Sequence, residues 1–75
     1  MRKIIVVVKH KDLKDHEFYV TKIEIDKDYN IHTTISEYAN FALKLDDKEK
    51  ARRIRKLVMS DMKVKNGYTV YLKEY

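Results

Sequence analysis

One stretch of this chain has helical periodicity, and the rest alternates like strand. Residues 46–63, DDKEKARRIRKLVMSDMK, contain no proline and no β-branched run. Asp46 suits an N-cap, because its side chain can accept an orphan N–H of the first turn. Glu49, three residues on, completes an approximate capping box. Asp46, Asp47 and Glu49 put negative charge at the positive end of the helix dipole, and Lys63 and Lys65 put positive charge at the other. Gly67, the single glycine of the chain, follows as the stop.

At about 100° per residue, Ala51, Ile54, Leu57, Val58 and Met62 fall in one core-facing arc. The neighbouring arc holds Lys48, Arg52, Arg55, Lys56 and Lys63, with Met59 in their midst. Lys48/Arg52 and Arg52/Lys56 are like charges four residues apart, each costing about 0.2–0.5 kcal/mol. Folding has no use for those clashes. The arc is either a solvated face or a surface that meets an acidic or anionic partner. Residues 46–65 carry eight Lys and Arg against four Asp and Glu, a net of +4 out of +5 for the chain.

Seventy-five residues predict a single domain, 1–75, with one small core. No cysteine is present, so thiol chemistry, disulfides and thiolate zinc sites are excluded. The apolar run at residues 4–8 is too short for a signal peptide or a membrane span. The expected setting is the cytoplasm.

Residues 2–9, RKIIVVVK, read as a strand from their β-branched content. They are apolar on both faces, which predicts a central position or a second covering layer. Residues 17–26 and 29–37 alternate around a turn at Asp26-Lys27-Asp28 and predict a hairpin. In this reading Tyr19, Thr21, Ile23 and Ile25 share one face, and Tyr29, Ile31, Thr33 and Ile35 form the apolar face of the partner strand. Residues 38–45, YANFALKL, fit a strand or a helical turn. The favoured form is an extended link that puts Phe41 and Leu43 under the helix. Residues 68–75 close the chain as a last strand. The sum is an α+β, two-layer domain, β-β-β-α-β. One helix packs on one face of a mainly antiparallel sheet of order 4-1-2-3. The opposite face then shows either Phe18, Val20, Tyr71 and Tyr75, or Ile5 and Val7. Either set makes an apolar or aromatic patch suited to a partner, a homodimer included.

His10 and His16 share a loop with Asp12 and Asp15, but their spacing matches no zinc pattern. Ser36 and Ser60 lack a nucleophile elbow, and one glycine cannot build a phosphate loop. No carboxylate pair has a spacing suited to acid–base work. The expectation is a binding protein, not an enzyme, with no metal or cofactor. Six tyrosines and the arginines are the residue types that anchor protein interfaces. Tyrosines on a sheet can also stack on single-stranded bases, although the glycines of an RNP1 motif are missing.

The order of a first strand at residue 2, a hairpin, Tyr38-Ala39-x-Phe41-Ala42-Leu43, an acidic cap, Ala51-x-x-Ile54 and a tyrosine-rich last strand resembles short accessory proteins of phages and prophages in low-GC Gram-positive bacteria. That resemblance implies a viral protein in the host cytoplasm that binds and inhibits a host protein. Its targets would include defence nucleases, as an anti-CRISPR protein does. The basic charge, with pI near 9.4, argues against mimicry of DNA. The alternative is nucleic-acid binding, with Lys48, Arg52, Arg55, Lys56 and Lys63 on phosphates.

Overall fold

The computed structural model describes residues 2–13 and 15–75. Strand β1 spans Ile4–His10, β2 Phe18–Ile25, β3 Ile31–Ser36 and β4 Tyr68–Glu74. They form one antiparallel sheet in the order β3-β2-β1-β4. A 3₁₀ turn, Ala39–Phe41, precedes helix α1, Lys48–Met59, and a one-turn helix α2, Met62–Lys65. The fold is α+β, with the helices on one face of the sheet.

β1 is buried on both faces, as its composition requires. Val6 and Val8 meet Ala51, Val58 and Val64 of the helical layer, together with Val20 and Val70. Ile5 and Val7 point the other way and are covered by Ala42, Tyr19 and Tyr71. The chain after β3 therefore crosses the outer face. β1 and β2 pair only at Val7–Tyr19 and Val8–Phe18. Below that point the 43–45 segment takes up the freed backbone groups. Leu43 N–H donates to Val20 O at 2.9 Å, and Ile4 and Leu45 exchange bonds of 2.6 and 2.8 Å. The 38–45 segment is thus a turn followed by a single bridge, not a fourth strand. Leu43 packs against the inner core, but Phe41 is 61% exposed and lies edge-on to Tyr38. A 3₁₀ turn one residue before Ala42 leaves Phe41 no route inward.

Two local breaks move side chains away from the positions that simple periodicity gives them. The first is a bulge in β2 between Val20 and Lys22. One extra residue reverses the alternation beyond it. Phe18, Val20 and Ile23 consequently share the helix-facing side, and Tyr19 faces outward with Tyr71. In the hairpin turn, Asp26 Oδ1 accepts the N–H groups of Asp28 and Asn30, both at 2.9 Å. Tyr29 sits there at φ +63° in the left-handed region and is exposed. It belongs to the turn and not to the apolar face of β3.

The second break divides the helix. Asp47, not Asp46, is the N-cap, accepting Glu49 N–H at 2.8 Å. α1 stops at Ser60, and Asp61 caps α2 by accepting Lys63 N–H at 2.9 Å. Beyond the break Asp61 and Val64 are buried and Met62 points outward, at 68% exposure. Met62 thus leaves the core arc that an unbroken helix gives it. The second carboxylate oxygen of Asp61 accepts Thr33 N–H at 2.8 Å. Burial raises the pKa of this carboxyl, but the donors of Lys63 and Thr33 outweigh that effect and hold it below the ordinary aspartate value.

Asp61→Ala removes a cap and strands a buried N–H, so it should cost about 2–4 kcal/mol in urea unfolding at neutral pH. Because the native pKa is lowered, this contribution is complete above the unfolded-state pKa and disappears as pH falls through the native value. The gap between wild type and variant should close in acid.

A candidate protein-binding edge

A four-stranded open sheet has two edges, here β3 and β4. At β3 the outward N–H of Thr33 is held by Asp61. At β4 the register fixes which groups are free. Tyr75 N–H donates to Lys3 O and Lys11 N–H to Gly67 O, both at 2.9 Å. The antiparallel alternation between these pairs turns the N–H and C=O groups of Tyr68, Val70, Leu72 and Glu74 away from β1,. They form a row along the open edge. In its middle, Arg55 Nε donates to Val70 O at 3.0 Å.

The flank of α1 beside this edge is basic. Lys48 and Arg52, with Lys73, line a groove floored by Ile4 and Leu72. Arg55, Met59 and Lys65 line its continuation next to Tyr68 and Val70. Five cationic side chains border the two grooves against one carboxylate, Glu74. Glu74 is paired with Arg2 at 3.5 Å, and Arg52 reaches Glu49 at 3.0 Å. Both pairs are exposed, and such pairs are weak and screened by salt. The positive field along the edge is therefore only partly neutralised.

The structure divides the basic arc read from the sequence. Lys48, Arg52 and Arg55 stand with Met59 on the β4 side. Lys56 is exposed on α1. Arg55 is half-buried, spent on a backbone carbonyl. Lys63 lies beyond the helix break and borders a different groove, with Tyr29 and Met62. The proposed sheet-face set also divides. Val20 is fully buried, and Phe18 packs beside it on the helix side. Tyr71 faces the other way, and Tyr75 is exposed with the Lys44 ammonium 4.7 Å above its ring. The register is the physical reason that these residues form no single patch: Phe18 pairs with Val8, on the helix side, and Tyr71 with Val7, on the other.

On the outer face Glu17 gathers donors from three side chains. It accepts the Tyr71 hydroxyl, Lys73 Nζ at 3.1 Å and the Tyr19 hydroxyl at 3.4 Å. The Tyr71 hydrogen bond, then Lys73, lowers the Glu17 pKa, and Glu17 in turn pushes the Tyr71 phenol up to about 12. Tyr71 is therefore a fixed neutral donor. Nothing in the sequence spacing brings residues 17 and 71 together. His32 Nε2 lies 2.8 Å from Asp26, and His10 stacks edge-on to Tyr68. Among the described residues no three metal-ligating side chains are grouped, and no helix is long and apolar enough to cross a membrane. Comparison with protein-family models, curated proteins and solved structures finds no match to this chain.

Tyr71→Phe should raise the Glu17 pKa toward its ordinary value, measured by NMR titration of the carboxyl carbon. The lowered native pKa of Glu17 supports folding above the unfolded-state value and ceases to do so as pH falls through the native one. The variant should therefore show a smaller difference in stability between pH 7 and pH 3 than the wild type.

Proposed function

We propose that this chain is a binding protein that acts by occluding another protein, and that its docking surface is the β4 edge with the basic flank of α1. The observation that carries this reading is the row of outward backbone groups at Tyr68, Val70, Leu72 and Glu74 beside Lys48, Arg52 and Arg55. Backbone groups on an open edge supply affinity for an extended segment, and flanking side chains select among segments. The likeness of residues 38–43 and 51–54 to phage accessory proteins extends the proposal to a host protein as the target, a defence nuclease such as a CRISPR effector included.

The competing reading is a track of phosphate contacts. One observation weighs against it: Lys63 stands across the helix break and borders a different groove from Lys48, Arg52 and Arg55. The double variant Lys48→Glu/Arg52→Glu, both at exposed positions, should fold normally and lose capture of a specific protein from bacterial lysate by at least tenfold. Capture that survives the double variant would contradict the proposal. So would capture that disappears with nuclease treatment, together with duplex binding whose log–log salt slope is about −0.9 per phosphate.

A further inference from the structure

β4 presents a ladder for one more strand, and an added strand that spans the middle of the edge must engage Val70. The Val70 carbonyl is already occupied by Arg55 Nε at 3.0 Å. We propose that Arg55 is a latch on the β4 edge, and that the segment it admits is an extended, acidic stretch of another protein. This inference rests on the docking surface proposed above and names the chemistry of its occupant.

The argument compares what Arg55 gives up with what it gains. A neutral strand must share the Val70 carbonyl with Arg55 or displace it, and offers the guanidinium nothing charged in return,. A strand with a carboxylate facing α1 offers an ionised acceptor that the guanidinium can hold with two parallel bonds, in place of one bond to a neutral carbonyl. Transfer of Arg55 to that carboxylate frees Val70 O for the ladder. The surroundings favour the same ligand. Lys48 and Arg52 border the Leu72 end of the edge and Lys65 the Tyr68 end. Alternate side chains of an added strand recur about every 6.8 Å on one face. Acidic residues at every second position would therefore meet Lys65, Arg55 and the Lys48–Arg52 pair in turn. A second copy of this chain is the wrong occupant. Pairing β4 with β4 would set one row of Lys48, Arg52, Arg55 and Lys65 against another, and like charges across strands are destabilising. With no acidic segment present, the closed latch and its basic surroundings also guard a bare edge against self-association.

The test uses the full chain, ¹⁵N-labelled, with wild type, Arg55→Ala and Arg55→Lys compared. The probe is a terminally blocked decapeptide alternating glutamate with valine and threonine, alongside its glutamine and lysine counterparts. On the wild type the glutamate peptide should slow hydrogen exchange at the Val70 and Leu72 amides at least tenfold. It should bind at least tenfold more tightly than the glutamine peptide, and the lysine peptide should not bind. In Arg55→Ala that preference should fall to about threefold, with the glutamine peptide binding better than it does to the wild type. Arg55→Lys, which keeps the charge without the planar fork, should fall between. Unchanged exchange at Val70 and Leu72, or a preference unchanged in Arg55→Ala, overturns the latch. If the latch fails while Lys48→Glu/Arg52→Glu still abolishes protein capture, the docking surface stands and only its occupant is wrong. If both fail, the surface is wrong as well.

Discussion

A single helical layer has to serve a sheet that is wider than it is, and it does so by reaching the sheet's two edges with side chains. Asp61 holds Thr33 N–H on β3, and Arg55 holds Val70 O on β4. Asp61 follows Ile54 by seven residues and Val58 by three, so it lies on the core side of the helical layer. There the cap of α2 and the bond to Thr33 satisfy a carboxylate whose burial would otherwise be costly,. Each edge is held by a charged group, but with unequal security. Asp61 is 2% exposed and bound to two backbone donors. Arg55 is half-buried, lies beside a groove and makes one bond to a backbone carbonyl. The first is a structural tie, and the second is the one that a ligand can displace.

β1 organises the remaining core. Its five consecutive apolar residues need cover on both sides. The chain supplies the second cover by carrying residues 38–42 across the outer face before entering α1. Ile5 and Val7 are consumed by that crossing, so the outer face of the sheet offers polar and aromatic groups around Glu17 and not an aliphatic patch. The exposed aliphatic surface lies elsewhere. Ile25 and Ile35 stand on the helix side of the β2–β3 hairpin, beyond the width that one helix covers.

Much of the fold was legible because the strands obey their period and the helix its caps. The sheet order followed from β1 being apolar on both faces. What could not be read traces to three positions. The β2 bulge at residues 20–22 has no glycine or proline to announce it, yet it brings Ile23 onto the face that Phe18 and Val20 share. The stop at Ser60-Asp61 falls within an uninterrupted helical pattern, because Asp61 is recruited by a backbone N–H 28 residues away. The exposure of Phe41 depends on a three-residue turn in a segment that alternates like a strand. At the site, the basic residues were visible as an arc, and Lys48 and Arg52 keep that role. Arg55 was visible as a charge but not as a ligand of Val70 O, which requires the strand register. The backbone groups of β4, which define the edge, carry no sequence signal of their own.

The account stands on the β4 edge being open in the free protein and the β3 edge being tied. Native-state hydrogen exchange on the isolated chain reads both directly. The Thr33 amide should be protected, because Asp61 holds it. The Val70 and Leu72 amides should exchange far faster, close to the rate of an unstructured backbone, with no dependence on protein concentration. Protection of Val70 and Leu72 equal to that of Thr33 would mean that the edge is already paired, and would contradict the account.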